Sequence, residues 1–291
     1  MIWFEEQVHP AVAQRLRVDR MILESRSGFQ TIEIFENALF GRVLALDGVV
    51  QTTERDEFVY HEMIAHVPIQ GHGAARQVLI IGGGDGGALE EVLKHRTVER
   101  AVLVEIDAAV INASRAHLDM IHKGAFSDPR AEIIMADGLT FMQGAGDLYD
   151  VIIVDSTDPQ GPGRALFSPE LYRSAARRLA FGGILVAQCG IPFLDPAPLH
   201  ASFGGLRRAL RDVAIFTAPI PSYCGLMTFA WASDAAAKRH VSIGELIERF
   251  AASGIDTRYY APELHLGAFM LPRFIRDLVE RPASPPDLQS A

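Results

Sequence analysis

The chain has 291 residues, of which 49% are hydrophobic, 22% charged and 8% aromatic, and this composition excludes collagen-like and disordered proteins. No apolar run reaches the roughly 20 residues needed to cross a bilayer, so we expect no contact with the membrane interior. The formal net charge of −9 argues against nucleic-acid binding and is compatible with cationic small molecules.

The start of the chain and its cysteines both indicate a cytoplasmic protein. Residues 1–6 lack the basic start and the apolar stretch of a signal peptide. Cys189 and Cys224 are the two cysteines of the chain, and they do not have metal-site spacing. We therefore expect reduced thiols in a cytoplasmic setting.

The first part of the chain is predicted to form a small antiparallel β domain. Residues 30–36 alternate apolar and polar side chains, which is the period of a half-buried strand. Residues 42–46 and 49–51 are the next strand candidates, and Asp47-Gly48 between them is a typical hairpin turn.

A helix is predicted to connect this β domain to the rest of the chain. Its pattern runs from Glu57 to Val67, and Pro68 is expected to end it. We therefore divide the chain into an N-terminal β domain with a linking helix (1–67) and a second domain (68–291). The proline-rich tail from about residue 281 is predicted to be disordered.

In the second domain, short apolar runs alternate with helical segments, which indicates a parallel sheet covered on both faces. The strand candidates are residues 78–81, 101–104, 132–135, 151–154, 184–188, 213–217 and 227–232. Residues 218–226 between the last two candidates are too few for a crossover helix, so this pair is predicted to be antiparallel. The fold class is therefore α/β, with a Rossmann-like, methyltransferase-type sheet.

A glycine-rich turn after the first of these strands predicts a nucleoside site. Gly82, Gly84 and Gly87 have G-x-G-x-x-G spacing between a strand and a helix. Glu105, about 20 residues further on, is the acid expected to bind ribose hydroxyls. Asp85 within the loop would repel a pyrophosphate and attract a cation. We therefore expect an adenosine that carries positive charge, such as a sulfonium, in preference to a nicotinamide dinucleotide.

Asp137 and Gly138 follow the third strand of the predicted sheet, and two interpretations of this pair stay open. The carboxylate of Asp137 could accept a hydrogen bond from the exocyclic amine of adenine. It could equally be the N-cap of the helical segment that follows.

A second acidic segment lies where another buried strand ends. Asp155 comes at the carboxyl end of its strand, where α/β proteins place their ligands, and Asp158 follows on a Pro- and Gly-rich loop. A protonated amine must lose a proton to a positioned base before it attacks carbon. We predict that Asp155 is this base and that Asp158 holds an ammonium group.

Together these segments resemble the polyamine aminopropyltransferases, and most closely the bacterial spermidine synthases. The matching stretches are FENALFGR (35–42), LDGVVQTTERDEF (46–58), YHE (60–62), GGGDGG (82–87), VEID (104–107), DSTDP (155–159), LF (166–167) and IPSY (220–223). They extend from the β domain to the last hairpin, so the resemblance covers most of the chain.

The resemblance implies transfer of an aminopropyl group from decarboxylated S-adenosylmethionine, as co-substrate, to the small diamine putrescine. The products would be spermidine and 5′-methylthioadenosine, without a metal or a prosthetic group. It also implies a homodimer or a homotetramer.

The resemblance further assigns roles to individual residues. Asp155 matches the catalytic aspartate of the family, and Asp85 would hold the ammonium of the donor. The residues implied to bind the nucleoside are Gln30, Glu105, Asp137, Gly138 and Pro162. The residues implied to line the amine channel are Gln51, Tyr60, His61, Asp158 and Tyr223.

Some positions depart from the family pattern, and they leave the length of the acceptor amine open. Gln160, Arg164 and the segment 188–193 differ from what the family usually has. Cadaverine or spermidine could therefore replace putrescine as the acceptor.

Three further functions stay open: an S-adenosylmethionine-dependent methyltransferase, a nicotinamide oxidoreductase and a non-catalytic polyamine-binding protein. The spacing of His61 and His66 is one residue too long for a helical zinc motif, so no metal site is expected.

Overall fold

The computed structural model describes residues 2–157 and 161–280, and the chain begins in it with two small antiparallel sheets. Their strands are β1 (Ile2–His9), β2 (Val12–Val18), β3 (Arg20–Arg26), β4 (Thr31–Asn37), β5 (Gly41–Leu46) and β6 (Val49–Thr53). Strands β1 and β2 form a two-stranded hairpin, and the other four form a sheet in the order β3-β4-β5-β6. The last three confirm the predicted meander, whereas β1 to β3 were not predicted individually.

The turn between β5 and β6 shows why the sequence forms a hairpin here. Asp47 and Gly48 have φ angles of 49° and 78°. A two-residue turn with both central residues at positive φ matches the right-handed twist of the strands that it joins, and Asp-Gly tolerates this backbone conformation.

The linking helix is longer than predicted. Helix α1 (Glu57–His72) continues through Pro68 and ends at Gly73, whose φ of 81° is typical of a helix end. The expected end at Val67 is therefore wrong. Fifteen of the sixteen helix residues are buried, and this packing stabilises a helix that has lost one hydrogen bond at proline. The division at residues 67 and 68 falls inside α1 and stays a prediction.

The strands of the central sheet are β7 (Gln77–Gly82), β8 (Arg100–Glu105), β9 (Ala131–Met135), β10 (Tyr149–Asp155), β11 (Leu179–Gln188), β12 (Asp212–Ile220) and β13 (Gly225–Ser233). Their order in the sheet is β12-β13-β11-β10-β7-β8-β9. Strand β13 runs antiparallel to both of its neighbours, and the other pairings are parallel. The α/β fold class and the antiparallel C-terminal pair are confirmed.

Helices cover both faces of this sheet. They are α2 (Gly87–Leu93), α3 (Ala108–His117), α4 (Asp119–His122), α5 (Gly138–Gln143), α6 (Pro169–Arg178), α7 (Ala197–Arg207), α8 (Ile243–Ser253), α9 (Pro262–Ala268) and α10 (Arg273–Glu280). Short 3-10 helices lie at Ala125–Ser127, Gly161–Phe167, Pro221–Tyr223 and Ala236–Lys238.

The alternation of side chains along β7 explains its continuous apolar run. Val78 and Ile80 belong to one buried core together with α1 and α2, and Leu79 and Ile81 belong to a second core together with α6 and α7. A strand that is covered on both faces needs apolar residues at every position.

The order of strands decides where a ligand binds. Strands β7 and β10 are neighbours, and the chain leaves them in opposite directions across the sheet. In open α/β sheets, the crevice at this switch point, outside the carboxyl ends of the strands, is the usual ligand site.

Within the described ranges, no helix has the length and apolar character of a membrane span.

Candidate active site

A cavity of about 370 Å³ opens at the carboxyl ends of β7, β8 and β10. It brings together ten of the predicted site residues: Gln30, Gln51, Tyr60, His61, Asp85, Glu105, Asp137, Gly138, Asp155 and Tyr223. Asp158 and Gln160 lie outside the residues that the structure describes, as does the tail from residue 281. Pro162 is placed in a 3-10 helix (161–167), but its side chain is not described. The roles of all these residues stay predictions.

The glycine turn is locked to the end of β10. Gly82 has a φ of 85°, and a Cβ atom there would come within 2.1 Å of the carbonyl oxygen of Asp155. The amide of Gly83 donates a hydrogen bond to that same carbonyl at 2.9 Å. Only glycine allows two backbone segments to approach so closely, so the turn and Asp155 form one rigid edge of the cavity.

Asp155 is a buried carboxylate, and among the described residues only one of its two oxygens accepts a hydrogen bond. Its Oδ1 accepts a hydrogen bond of 2.6 Å from the hydroxyl of Tyr60, and its Oδ2 has no hydrogen-bond donor among the described residues. Burial, followed by the charge of Asp85, raises the pKa of Asp155 to about 6, although His61 and Tyr60 act in the opposite direction. The side chain is therefore a carboxylate at neutral pH that takes up a proton more readily than an exposed aspartate does.

Tyr60 is held in its protonated form. Burial and the neighbouring charge of Asp155 both raise the pKa of its hydroxyl well above the usual value. It therefore remains a hydrogen-bond donor to Asp155 over the whole physiological pH range. Its ring meets the ring of Tyr223 edge-on at 6.2 Å, which places two tyrosines side by side on the cavity wall.

Asp85 lies in the loop between β7 and α2, and it has a charged partner that was not predicted. Its Oδ1 accepts a hydrogen bond of 2.7 Å from the amide of Gly87 and lies 3.4 Å from Nε2 of His61. Burial alone would raise the pKa of Asp85, but His61 and the Gly87 amide outweigh burial and lower it. Asp85 is thus ionised at the cavity wall, as a cation-binding site requires.

Glu105 lies at the end of β8, next to the glycine turn. Its Oε1 accepts a hydrogen bond of 2.9 Å from the amide of Asp107. Burial raises its pKa to about 7 despite such backbone hydrogen bonds. A carboxyl group at this point of a nucleotide-binding sheet is positioned for ribose hydroxyls.

Gln30 connects the N-terminal sheet to the same edge. Its Nε2 donates to Oδ2 of Asp107 at 3.0 Å, and Ser27 donates to the same oxygen at 2.6 Å. The other oxygen of Asp107 caps α3 through the amide of Ala109. One buried carboxylate therefore holds the β domain, with Gln30, against the nucleotide-binding sheet.

The structure resolves the two interpretations of Asp137 in part. Its Oδ1 accepts a hydrogen bond of 2.7 Å from Thr140, so it is the N-cap of α5, and it also lines the cavity. The next residue, Gly138, lies so close to the side chain of Ile81 that a Cβ atom there would come within 2.4 Å of it. The cap interpretation is confirmed, and adenine binding by Asp137 stays a prediction.

Gln51 and Tyr223 meet across the domains. The hydroxyl of Tyr223 donates a hydrogen bond to the backbone carbonyl of Gln51. The neighbouring Ser222 donates to Asp56 through both its amide and its hydroxyl, at 2.7 and 3.1 Å. These contacts hold the last hairpin of the sheet against β6 and the start of α1, and they close the cavity between the two domains.

Three polar residues around the site were not predicted to have a role there. Glu6 is a buried carboxylate on β1 that lines the cavity and accepts a hydrogen bond of 2.6 Å from Gln14. Gln188 donates to the carbonyls of Ser156 and Thr157, at 2.9 and 3.2 Å, and so holds the loop after Asp155. Glu57 pairs with His61 at 2.8 Å. The spacing of Glu57 and His61 on a helix was a signal that could have revealed the last of these contacts.

Comparison with known proteins agrees with this geometry. Residues 57–241 match the spermine/spermidine synthase domain, and residues 2–54 match the spermidine synthase tetramerisation domain. A polyamine aminopropyltransferase of a Ruegeria species is 47% identical over 278 residues, covering 95% of this chain and 98% of that protein. Polyamine aminopropyltransferase 1 of Pseudomonas aeruginosa is 48% identical over 273 residues, covering 94% of this chain and 96% of that one.

Solved structures give the same result. A crystal structure of spermidine synthase in complex with the transition-state analogue AdoDATO has a TM-score of 0.91 at 37% identity, over 96% of this chain and 95% of that one. Spermidine synthase from Thermotoga maritima has a TM-score of 0.88 at 35% identity, over 96% and 94% of the two chains. Sequence, fold and cavity therefore agree that the chain belongs to the spermine/spermidine synthase family, the polyamine aminopropyltransferases.

Proposed function

We propose that the chain transfers the aminopropyl group of decarboxylated S-adenosylmethionine to putrescine, giving spermidine and 5′-methylthioadenosine. The observation that carries this proposal is the carboxylate of Asp155, which lines the cavity together with other carboxylates and whose buried Oδ2 has no hydrogen-bond donor among the described residues. Such an oxygen is suited to receive a proton from an ammonium substrate.

In the proposed step, the ammonium of the acceptor first gives a proton to Asp155. The neutral nitrogen then attacks the propyl carbon next to the sulfonium. A C–N bond forms and the C–S bond breaks, and the electron pair of the C–S bond neutralises the sulfur. The product is a secondary ammonium, and Asp155 returns its proton to solvent.

The raised pKa of Asp155 lowers the free-energy cost of moving a proton from the acceptor ammonium to Asp155. An alkyl ammonium has a pKa near 10.4, so its proton moves to a group of pKa about 6 at a cost of about 6 kcal/mol. The cost would be about 9 kcal/mol for an aspartate with its ordinary pKa of 3.8. The positive charge of a bound sulfonium would lower the pKa of the amine and reduce the cost further.

The carboxylates of the cavity support a doubly charged acceptor and a charged donor. Asp85 is positioned for the ammonium of the decarboxylated donor, and Glu105 for its ribose. A diamine keeps one ammonium while the other reacts, and Glu6 and Asp195 supply further carboxylates to the cavity wall. These groups support an acceptor with more than one ammonium, and putrescine is to be tested against cadaverine and spermidine.

The experiment is incubation of the purified chain with decarboxylated S-adenosylmethionine and, separately, putrescine, cadaverine or spermidine, with the products identified by mass. We expect spermidine and methylthioadenosine, formed fastest from putrescine. A faster reaction with a longer amine would contradict the choice of acceptor. Methyl transfer from intact S-adenosylmethionine, without aminopropyl products, would contradict the proposed reaction itself.

A second prediction concerns pH and Tyr60. Because Asp155 must be ionised, kcat/KM for the amine at saturating donor should rise as the pH increases through about 6. Tyr60→Phe removes a hydrogen bond that stabilises the ionised form, so the pKa of Asp155 should rise. The pH at which kcat/KM increases should then be higher by roughly one pH unit. The measurement is the pH profile of kcat/KM for the wild-type protein and for Tyr60→Phe, and an increase at the same pH in both would show that Asp155 does not cause it.

We also propose a cytoplasmic homo-oligomer, either a homodimer or a homotetramer. The match of residues 2–54 to a tetramerisation domain supports the assembly, and the free thiols Cys189 and Cys224 support a reducing compartment.

A further inference from the structure

Glu57 is a buried carboxylate that does not line the cavity but is connected to it through one side chain. It lies in the first turn of α1, and only 6% of its surface is exposed. Its Oε2 lies 2.8 Å from Nδ1 of His61, one helical turn further on. The hydrogen-bonded path from Glu57 to the cavity therefore runs through the imidazole of His61.

The orientation of that imidazole is fixed. Its second nitrogen, Nε2, lies 3.4 Å from Oδ1 of Asp85. The ring also lies so close to Gly87 that a Cβ atom there would be 2.2 Å from its atoms. The ring thus fills the space between α1 and the start of α2, and each of its nitrogens faces a carboxylate.

The charges around His61 favour its protonated form. Glu57 faces it from α1, Asp85 from the glycine loop, and Asp155 and Tyr60 lie on the adjacent wall, with Glu105 and His122 beyond Asp85. Burial alone would lower the pKa of His61, but Asp85 and Glu57 outweigh burial and raise it well above the usual value. In its protonated form the ring separates two carboxylates that would otherwise repel each other.

We propose that Glu57 is a positioning residue, whose carboxylate keeps His61 protonated so that the imidazolium holds Asp85 ionised and directed at the aminopropyl donor. A neutral imidazole that donates from Nδ1 to Glu57 would present the lone pair of Nε2 to Asp85, and two acceptors would then face each other. This inference rests on the proposed role of Asp85 in binding the donor.

The test is Glu57→Gln, which keeps a hydrogen-bonding group of the same size and removes the charge. The midpoint of the His61 ring titration, followed by NMR and assigned with His61→Gln, should move down by about one unit or more. At pH 8 the Kd for decarboxylated S-adenosylmethionine, measured by calorimetry, should rise about tenfold. The Kd for methylthioadenosine, which has no ammonium, should change much less.

Glu62→Gln is the matched control. Glu62 is a buried carboxylate on the same helix, but it accepts backbone hydrogen bonds from Arg258, Tyr259 and Tyr260 at 2.7 to 2.8 Å. Its substitution should lower thermal stability and leave the His61 midpoint where it was. If Glu57 had only a structural role, Glu57→Gln would likewise lower thermal stability and leave the His61 midpoint unchanged.

Two results would overturn the proposal, and one of them needs no variant. In the wild-type protein, a His61 midpoint at or below 6.5 would show that the imidazole is not held in its charged form. In Glu57→Gln, an unchanged midpoint would show that Glu57 does not set this charge. If the midpoint moves and the donor Kd does not, the link from Glu57 to His61 stands and the assignment of Asp85 as the donor ligand fails.

Discussion

Asp155→Asn should lower kcat by a factor of about 10² to 10⁴ and leave the affinity for the donor nearly unchanged. The amide has almost the same shape as the carboxylate and can still accept the hydrogen bond of Tyr60, but it cannot take a proton from the acceptor amine. The measurement is the rate of methylthioadenosine release at saturating donor and amine, together with the donor Kd by calorimetry.

The same substitution should stabilise the fold. Asp155 has a pKa of about 6 in the folded protein against 3.8 in an ordinary environment. Its contribution to stability is therefore fully present below pH 3.8 and is lost as the pH rises through 6, a difference of about 3 kcal/mol at most. We expect Asp155→Asn to raise Tm by a few degrees at pH 8 and by much less at pH 4.

A control on the same strand separates these effects from general damage to β10. Asp150 lies at the other end of β10 and accepts hydrogen bonds from the amides of Arg76 and Gln77 at 2.7 and 2.9 Å. Asp150→Asn should lower stability and retain kcat. Normal turnover by Asp155→Asn would show that Asp155 is not the base.

Asp85→Asn should weaken the binding of decarboxylated S-adenosylmethionine by a factor of about 10 to 100. A hydrogen bond to a charged group contributes about 1.5 to 3 kcal/mol, and this variant loses the charge that would pair with the donor ammonium. Methylthioadenosine has the same nucleoside but no ammonium, so its Kd should change less than about threefold. Calorimetry with both ligands measures the difference.

Asp137→Asn is the comparison for Asp85→Asn. Asparagine is as good an N-cap as aspartate, so α5 should remain intact. If Asp137 contacts the adenine, this variant should change the affinity for both ligands by the same factor. An equal loss for both ligands in Asp85→Asn would mean that Asp85 only shapes the loop, through the Gly87 amide.

Much of the site was predictable because its residues follow short sequence patterns. The glycine turn, Glu105 and Asp155 each come directly after an apolar run, and the carboxyl ends of parallel strands meet at one edge of a sheet. The order of elements was predictable for the same reason, since a strand covered on both faces has a continuous apolar pattern.

Several contacts had no local signal. Tyr223 and Gln51 are 172 positions apart, and Glu6 lies on a strand that the apolar pattern did not reveal. Pro68 was expected to end the helix on which Tyr60 and His61 lie, because sequence rules describe an isolated helix and not one that is buried on all sides.

The amino-acid sequence alone determined the fold class, the family resemblance and which acids follow which strands, because these depend on the spacing of residues that are near one another in the chain. The tertiary structure decided how readily each of those acids takes up a proton and what each of them contacts. Asp155 and His61 have shifted pKa values because burial removes water from them and because distant segments bring Asp85 and Tyr60 to their side. Burial and neighbouring charge arise only when the chain is folded, and the chemistry of this cavity depends on both.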